Sequence, residues 1–261
     1  MDISWSIDLT QAGMNAIAAG SGGGGGTGIV IEDVGSLVLA LDADCTISNP
    51  EANKMDQITD RSINGPSTRY DANVGPGYVW YTAADASWNG HDTWYRGDAG
   101  MWMQKATGTD VSFANVTIVT GIEVNTLGGR ITPIKFSGTG GFTLEVNTDG
   151  SIQVEDAVNA IAVRTAAGVI STGVAYLVVC TIASGGAIKL YVNTADVTNG
   201  AQTAGVGTCK FNTFIQAWTA TGDFWQACIY IYDEVLSAAN INTLCNDLST
   251  KFGLGQTWAL S

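Results

Sequence analysis

Apolar residues recur along this chain with two periods, and the change from one to the other falls near its end. From Trp225 to Tyr232 an apolar strand runs into Asp233-Glu234, after which Ile241, Leu244, Leu248 and Phe252 recur at helical spacing on one face. Ser237 is placed to cap this helix by accepting an orphan amide of its first turn. Lys251 sits in the last turn, where a cation suits the helix dipole, and Gly253 can take the left-handed cap. Upstream the period is two. Phe142–Asn147 and Ser151–Glu155 alternate apolar and polar residues around Thr148-Asp149-Gly150, a hairpin signal. Tyr176–Ile182 reads as a buried strand, Ile188, Leu190 and Val192 form one face of the next, and Val116–Val124 is another. Strands spaced about 8–12 residues apart, with Gly and Asn turns and no alternating helices, predict an antiparallel β-sandwich.

The first 28 residues follow neither pattern. Asp8 or Thr10 can cap a short helix that places Leu9, Met14 and Ile17 on one side, and Gly20 ends it. So short a helix is marginal alone in water. The glycine-rich run Gly20–Gly28 that follows is a flexible coil reaching about 15–18 Å for nine residues. The division predicted is an N-terminal arm over residues 1–28 and a sandwich with its closing helix over 29–261. The arm reads either as an anchor docking Leu9, Met14 and Ile17 on another subunit, or as a disordered terminus.

The closing segment "IYIYDEVLSAANINTLCNDLSTKFGL" resembles the final strand and helix of the concanavalin A-like lectin/glucanase domains, the laminin-G-like jelly rolls found in bacteriophage virion and bacterial surface proteins. Leu37–Asp44 looks like the first strand of that family and Gln57–Tyr70 like its aspartate-bearing turn. Gly185–Asn193 looks like the hairpin strand before the final third, so residues 36–254 are covered. The resemblance implies an all-β fold, a concanavalin A-like jelly roll with one C-terminal helix behind the arm. The match rests on strand order and one closing motif, not on catalytic residues.

Between Gly75 and Met103 the chain carries Tyr78, Trp80, Tyr81, Trp88, Trp94, Tyr95 and Trp102. Such side chains offer large rigid area with a polar edge, suited to stacking on sugar rings or anchoring a protein interface, and equally suited to filling a core. Tyr78, Trp80, Tyr81, Trp88, Trp94 and Tyr95 are the candidate ligand or partner contacts. By the resemblance, Arg96-Gly97-Asp98 looks like the family's turn with an insertion ahead of it.

Composition narrows the partners. A net charge of −13 with 11 scattered Lys and Arg leaves no basic stripe for phosphates, so nucleic acid is not expected. The five cysteines, Cys45, Cys180, Cys209, Cys228 and Cys245, lack zinc spacing and are expected to be reduced, as in a protein assembled in a cytoplasm. The opening residues have no positive n-region, so no secretory signal is expected there. No apolar run approaches the roughly 20 residues of a membrane span.

Catalytic chemistry finds little support. Glycoside hydrolysis needs two carboxyl groups flanking the bond, and the glucanase members of the superfamily carry E-x-D-x-x-E on one strand, which this chain lacks. Glu123, Glu145 and Glu155 alternate with apolar residues and are expected to face solvent. His91 is the single histidine and has no nucleophile elbow beside it. No cofactor is predicted, with calcium held open because lectin relatives bind it through loop carboxylates; Asp42, Asp44, Asp60, Asp71 and Asp98 are equally well explained as strand caps and Asx-turns. The reading is a non-enzymatic accessory structural protein of a bacteriophage particle: a head decoration, head fibre or tail fibre. It would be assembled in the host cytoplasm, be oligomeric on the virion surface, be anchored to other virion proteins through the arm, and contact host-surface glycan. The alternatives are a bacterial carbohydrate-binding surface module and a divergent glycoside hydrolase.

Overall fold

Whether a strand of this protein alternates or runs apolar throughout depends on how many of its faces are covered. The computed structural model describes residues 37–42, 45–48, 54–55, 57–60, 62, 69–72, 79–95, 103–105, 111–135, 142–156, 161–183, 187–199, 209–211, 213–217 and 222–261. The predicted arm, with Leu9, Met14 and Ile17, and also Asp44, Tyr78, Asp98 and Trp102 lie outside the described residues.

The chain begins with β1 (Leu37–Asp42), β2 (Thr46–Ser48), β3 (Lys54–Met55), β4 (Gln57–Thr59), β5 (Arg69–Ala72), β6 (Val79–Asp85) and β7 (His91–Tyr95). Next come β8 (Met103–Lys105), β9 (Val111–Phe113), β10 (Val116–Leu127), β11 (Ile131–Lys135), β12 (Phe142–Val146), β13 (Ile152–Asp156) and β14 (Ile161–Arg164). After β15 (Ala175–Ile182), β16 (Ile188–Val192), β17 (Ala195–Asp196), β18 (Cys209–Phe211), β19 (Thr213–Ala217) and β20 (Gly222–Tyr232), helix α1 (Ala238–Lys251) follows. An inner sheet has the order β17-β16-β15-β10-β20-β7-β6-β3, with β1 also paired to β20. An outer sheet has the order β14-β13-β12-β11-β19-β8-β5-β4-β2, and β18 pairs with β9. The strand pairs are antiparallel, as the alternation predicted.

Two apolar layers result. Ile118, Ile122, Val178, Leu190, Phe224 and Ile229 of the inner sheet meet Ile131, Ile134, Phe142, Leu144, Ile152 and Val154 of the outer one. The other face of the inner sheet receives α1, whose Ile241, Leu244, Leu248 and Phe252 pack on Leu37, Val119, Leu177, Val179, Tyr230 and Tyr232. Covered on both faces, β15 and β20 need continuous apolar runs; β12 and β13 are apolar on one face only and therefore alternate. Each large side chain so buried contributes about 1.5–3 kcal/mol.

The helix ends where its sequence says it should. Ser237 Oγ accepts from Asn240 N at 3.2 Å. At the other end Gly253 stands at φ 67°, its N–H donating to Thr250 O at 3.2 Å while Leu254 N donates to Ser249 O at 2.9 Å, a Schellman closure. Lys251 does more than face the dipole: its Nζ lies 3.1 Å from Asp42 Oδ2, to which the Tyr230 hydroxyl also donates. Asp42 is thus a buried tie between β1, β20 and α1. Asp60 likewise caps, accepting from Ala40 N at 2.9 Å and from Ser62 N at 2.8 Å. Cys45, Cys180, Cys228 and Cys245 are buried thiols.

Candidate functional site

The aromatic segment forms the β6–β7 hairpin, whose tip is a 3-10 turn at Ala86–Trp88 followed by Asn89 and Gly90, both at positive φ. Asp85 builds this tip, accepting from Ser87 N and from Thr93 Oγ1, each at 2.9 Å. Asp92 Oδ1 accepts from Ala84 N at 3.0 Å. The fold separates the predicted contact residues into groups. Trp88 is fully buried under α1, edge-on to Phe252 at 5.4 Å, and fits because β10 carries glycine beneath it: a Cβ on Gly121 would stand 3.0 Å from the indole. Trp94 is fully buried between the sheets. These two are core residues, which corrects the expectation that they contact a ligand. Tyr81 pairs with Trp94 and so takes a register position on the same, inward face.

The opposite face holds the remaining pair. Trp80 is registered with Tyr95, Tyr95 with Trp225 of β20, and Trp225 with Glu123 of β10. These four positions form one row across four strands on the helix-bearing side of the inner sheet, just beyond the end of α1 where Trp88 and Phe252 close the layer. Strands about 4.8 Å apart set Trp225 and Trp80 roughly 10 Å from each other. Trp225 and Glu123 are half-buried. Burial, and then the charge of Asp85, push the Glu123 carboxyl above its ordinary range, opposed by a hydrogen bond from the Ser87 side chain. Glu123 thus stands as a half-buried carboxylate at the end of a row of register positions that carry Trp225, Tyr95 and Trp80. Sequence reasoning found Trp80 and Tyr95 but missed Trp225 and Glu123, because only the β10–β20–β7 register brings them together.

A second polar group occupies the far face of the outer sheet. Glu145 and Glu155, expected to face solvent, are buried, which corrects that reading. Gln153 Nε2 donates to Glu145 Oε2 at 3.0 Å and also to Glu155 Oε1, and the half-exposed Arg130 guanidinium reaches the same two oxygens at 3.4 and 3.1 Å. Asn147 Nδ2 continues the chain, donating to Gln153 Oε1 at 2.9 Å. So arranged, the two carboxylates pin the β10–β11 turn to the β12–β13 hairpin. His91 stands edge-on to Phe252 at 5.4 Å, a packing position. Among the described residues no cluster of three or more His, Cys, Asp or Glu side chains is placed to hold a metal, and no helix is long and apolar enough to cross a membrane.

A family model described as the concanavalin A-like lectin/glucanases superfamily matches residues 104–242. No curated protein matches the chain. Among solved structures, the chain is similar to the binding domain of Paraclostridial Mosquitocidal Protein 1, at 17% identity and TM-score 0.59, over 84% of this chain and 53% of that one. It is also similar to a structure of botulinum neurotoxin type C, whose cell entry depends on interaction with two ganglioside molecules, at 14% identity and TM-score 0.54, over 82% and 51% of the two chains. The serotype D botulinum ligand binding domain in complex with N-acetylneuraminic acid matches at 13% identity and TM-score 0.54, over 81% and 51%. The chain spans about half the length of these structures, and at such identities the likeness is one of fold.

Proposed function

This chain belongs to the concanavalin A-like lectin/glucanases superfamily, and from that premise we propose that it is a glycan-binding domain without turnover, displayed in many copies on a bacteriophage particle. The observation that carries the binding half is the row Glu123–Trp225–Tyr95–Trp80. Aromatic faces take the C–H side of a pyranose ring, and a neighbouring carboxylate accepts from its hydroxyls, which fixes orientation. Similarly folded toxin domains that engage gangliosides or N-acetylneuraminic acid support a saccharide as the ligand class. The absence of turnover is supported by the engagement of Glu145 and Glu155 with Arg130 and Gln153, which leaves them bound to protein donors.

A shallow row of this kind binds one sugar weakly, and display in many copies raises avidity by about 10²–10⁴. The virion half of the proposal supplies that display. Its support is the apolar Leu9, Met14 and Ile17 set apart from the head by Gly20–Gly28. In glycan-array measurements on multimerised protein, Trp225→Ala and Glu123→Gln should each abolish saturable binding; unchanged binding in both removes the site. Deleting residues 1–28 should leave the head folded and prevent its incorporation into particles, and full occupancy by the truncated protein removes the anchoring role.

A further inference from the structure

Beside its apolar face, α1 carries a second stripe, Asn242, Asn246 and Ser249, spaced four and three residues apart. Each of these side chains binds both main-chain groups of one residue in the extended segment after the helix. Leu260 N donates to Asn242 Oδ1 at 2.7 Å, and Asn242 Nδ2 donates to Leu260 O at 2.9 Å. Trp258 N donates to Asn246 Oδ1 at 2.7 Å, and Asn246 Nδ2 donates to Trp258 O at 3.1 Å. Gln256 N donates to Ser249 Oγ at 2.8 Å, and Ser249 Oγ donates to Gln256 O at 2.9 Å. Alternate residues of an extended chain repeat about every 6.8 Å, while the helix rises about 6 Å from Asn242 to Asn246 and about 4.5 Å from Asn246 to Ser249; the segment runs antiparallel to the helix, and all three rungs are met at 2.7–3.1 Å. Side chains here do what a strand edge does with its backbone.

This recognition reads main chain and the apolar side chains of Trp258 and, in part, Leu260. Trp258 is buried in the layer beneath α1, with Leu254 and Leu260 packed partly against it. None of the six hydrogen bonds involves the Gln256 or Leu260 side chain. The connection from helix to tail contains two glycines at positive φ, Gly253 at 67° and Gly255 at 64°, where an L-side chain is strained. Gly253 completes the Schellman closure of α1 and Gly255 lies beyond it, so the extended segment starts after the helix has ended.

We infer that this stripe of α1 is a docking site for an extended segment, and that the occupant it takes from outside its own chain is Gln256–Leu260 of a second copy, the two copies exchanging tails. That segment is the occupant whose fit is visible rung by rung, every copy carries it, and reciprocal exchange makes the same contacts twice in a closed twofold pair. The short tether keeps the chain's own tail at an effective concentration on the order of millimolar, so exchange belongs to crowded copies in an assembly. It stands independently of the glycan site.

Two full-length variants test it. Asn242→Ala/Asn246→Ala has an intact tail and a defective stripe; Trp258→Ala has an intact stripe and a defective tail. Mixed at about 1 mM, the tether's own concentration scale, they should form a heterodimer by light scattering that neither forms alone; two monomers in the mixture overturn the inference. A second measurement covers the case in which Trp258→Ala does not fold. A fluorescent peptide of residues 255–261 should bind full-length Leu260→Ser at least about tenfold more tightly than the unaltered chain, whose own tail competes for the site. It should not bind the Asn242→Ala/Asn246→Ala protein. Equal binding to all three overturns the docking site itself.

Discussion

Removing one guanidinium should cost this protein more than its partly exposed position suggests. Arg130 is half-exposed, yet Glu145 and Glu155 on which it sits are almost wholly buried. Arg130→Ala leaves both carboxylates in place, with Gln153 Nε2 shared between them and Lys135 near Glu145. An exposed ion pair is worth about 0.2–1 kcal/mol, whereas stripping one partner from a buried pair costs about 3–5 kcal/mol. Solvent screens the outer half of the guanidinium and Gln153 remains, so the expected loss falls between these, at about 2 kcal/mol. For a domain of this size that lowers the melting temperature by roughly 4–8 °C. Urea unfolding of Arg130→Ala measures the loss, and adding Glu155→Gln in that background should recover part of it by removing one stranded charge. A double-mutant cycle should then show coupling above about 0.5 kcal/mol. A loss of Arg130→Ala within about 0.5 kcal/mol, the range of ordinary surface changes, refutes the reasoning.

Leu244→Ala or Leu248→Ala, both in the layer between α1 and the inner sheet, should each lose about 2–5 kcal/mol in the same assay; near-zero losses would mean that the helix does not pack as described. The Cys245 thiol is held well above its usual range by burial and then by Cys228, so iodoacetamide should label it only after unfolding, and native labelling at neutral pH would contradict its burial. Glu123 has a raised folded-state pKa, chiefly from burial and then from Asp85. Its charge therefore opposes folding once pH rises above the unfolded-state value, the penalty being complete above the raised folded value and absent at acid pH. Glu123→Gln should accordingly be more stable than the parent at pH 7 and equal to it near pH 3 by thermal melts, while losing glycan binding; lower stability at pH 7 would reverse the sign and exclude that account.

Much of the fold was legible because burial writes directly into period. The apolar run Tyr176–Ile182 and the strand ending at Tyr232 are continuous because two layers cover them, and the Ser237 and Gly253 punctuation marked α1 to within a residue or two. Strand order was reachable only through the family resemblance, since pairings such as β1 with β20 join residues far apart in sequence. The burial of Glu145 and Glu155 was illegible for a related reason. Alternation says which face a residue takes, and Arg130, contributed by a separate turn, decides what covers it.

The candidate site shows why composition alone misjudges aromatics. A cluster of Trp and Tyr in one segment looks like a surface, but the hairpin sends successive residues to opposite sides: Trp94 goes inward while its neighbour Tyr95 takes the outer row. Trp88 escapes this alternation because it lies in the turn, and its burial depends on Gly121, more than thirty residues away, having no side chain. The proposed row joins the register positions of Trp80 and Tyr95 to Trp225, a half-buried residue of another strand, and to a carboxylate, Glu123, carried to its end by a bulged β10–β20 register. Which residues share this face is therefore a property of pairing. Shifting β7 by one residue against β20 would exchange Tyr95 for Trp94 in the row and take Trp94 out of the layer between the sheets, so the burial of Trp94 opposes that slip.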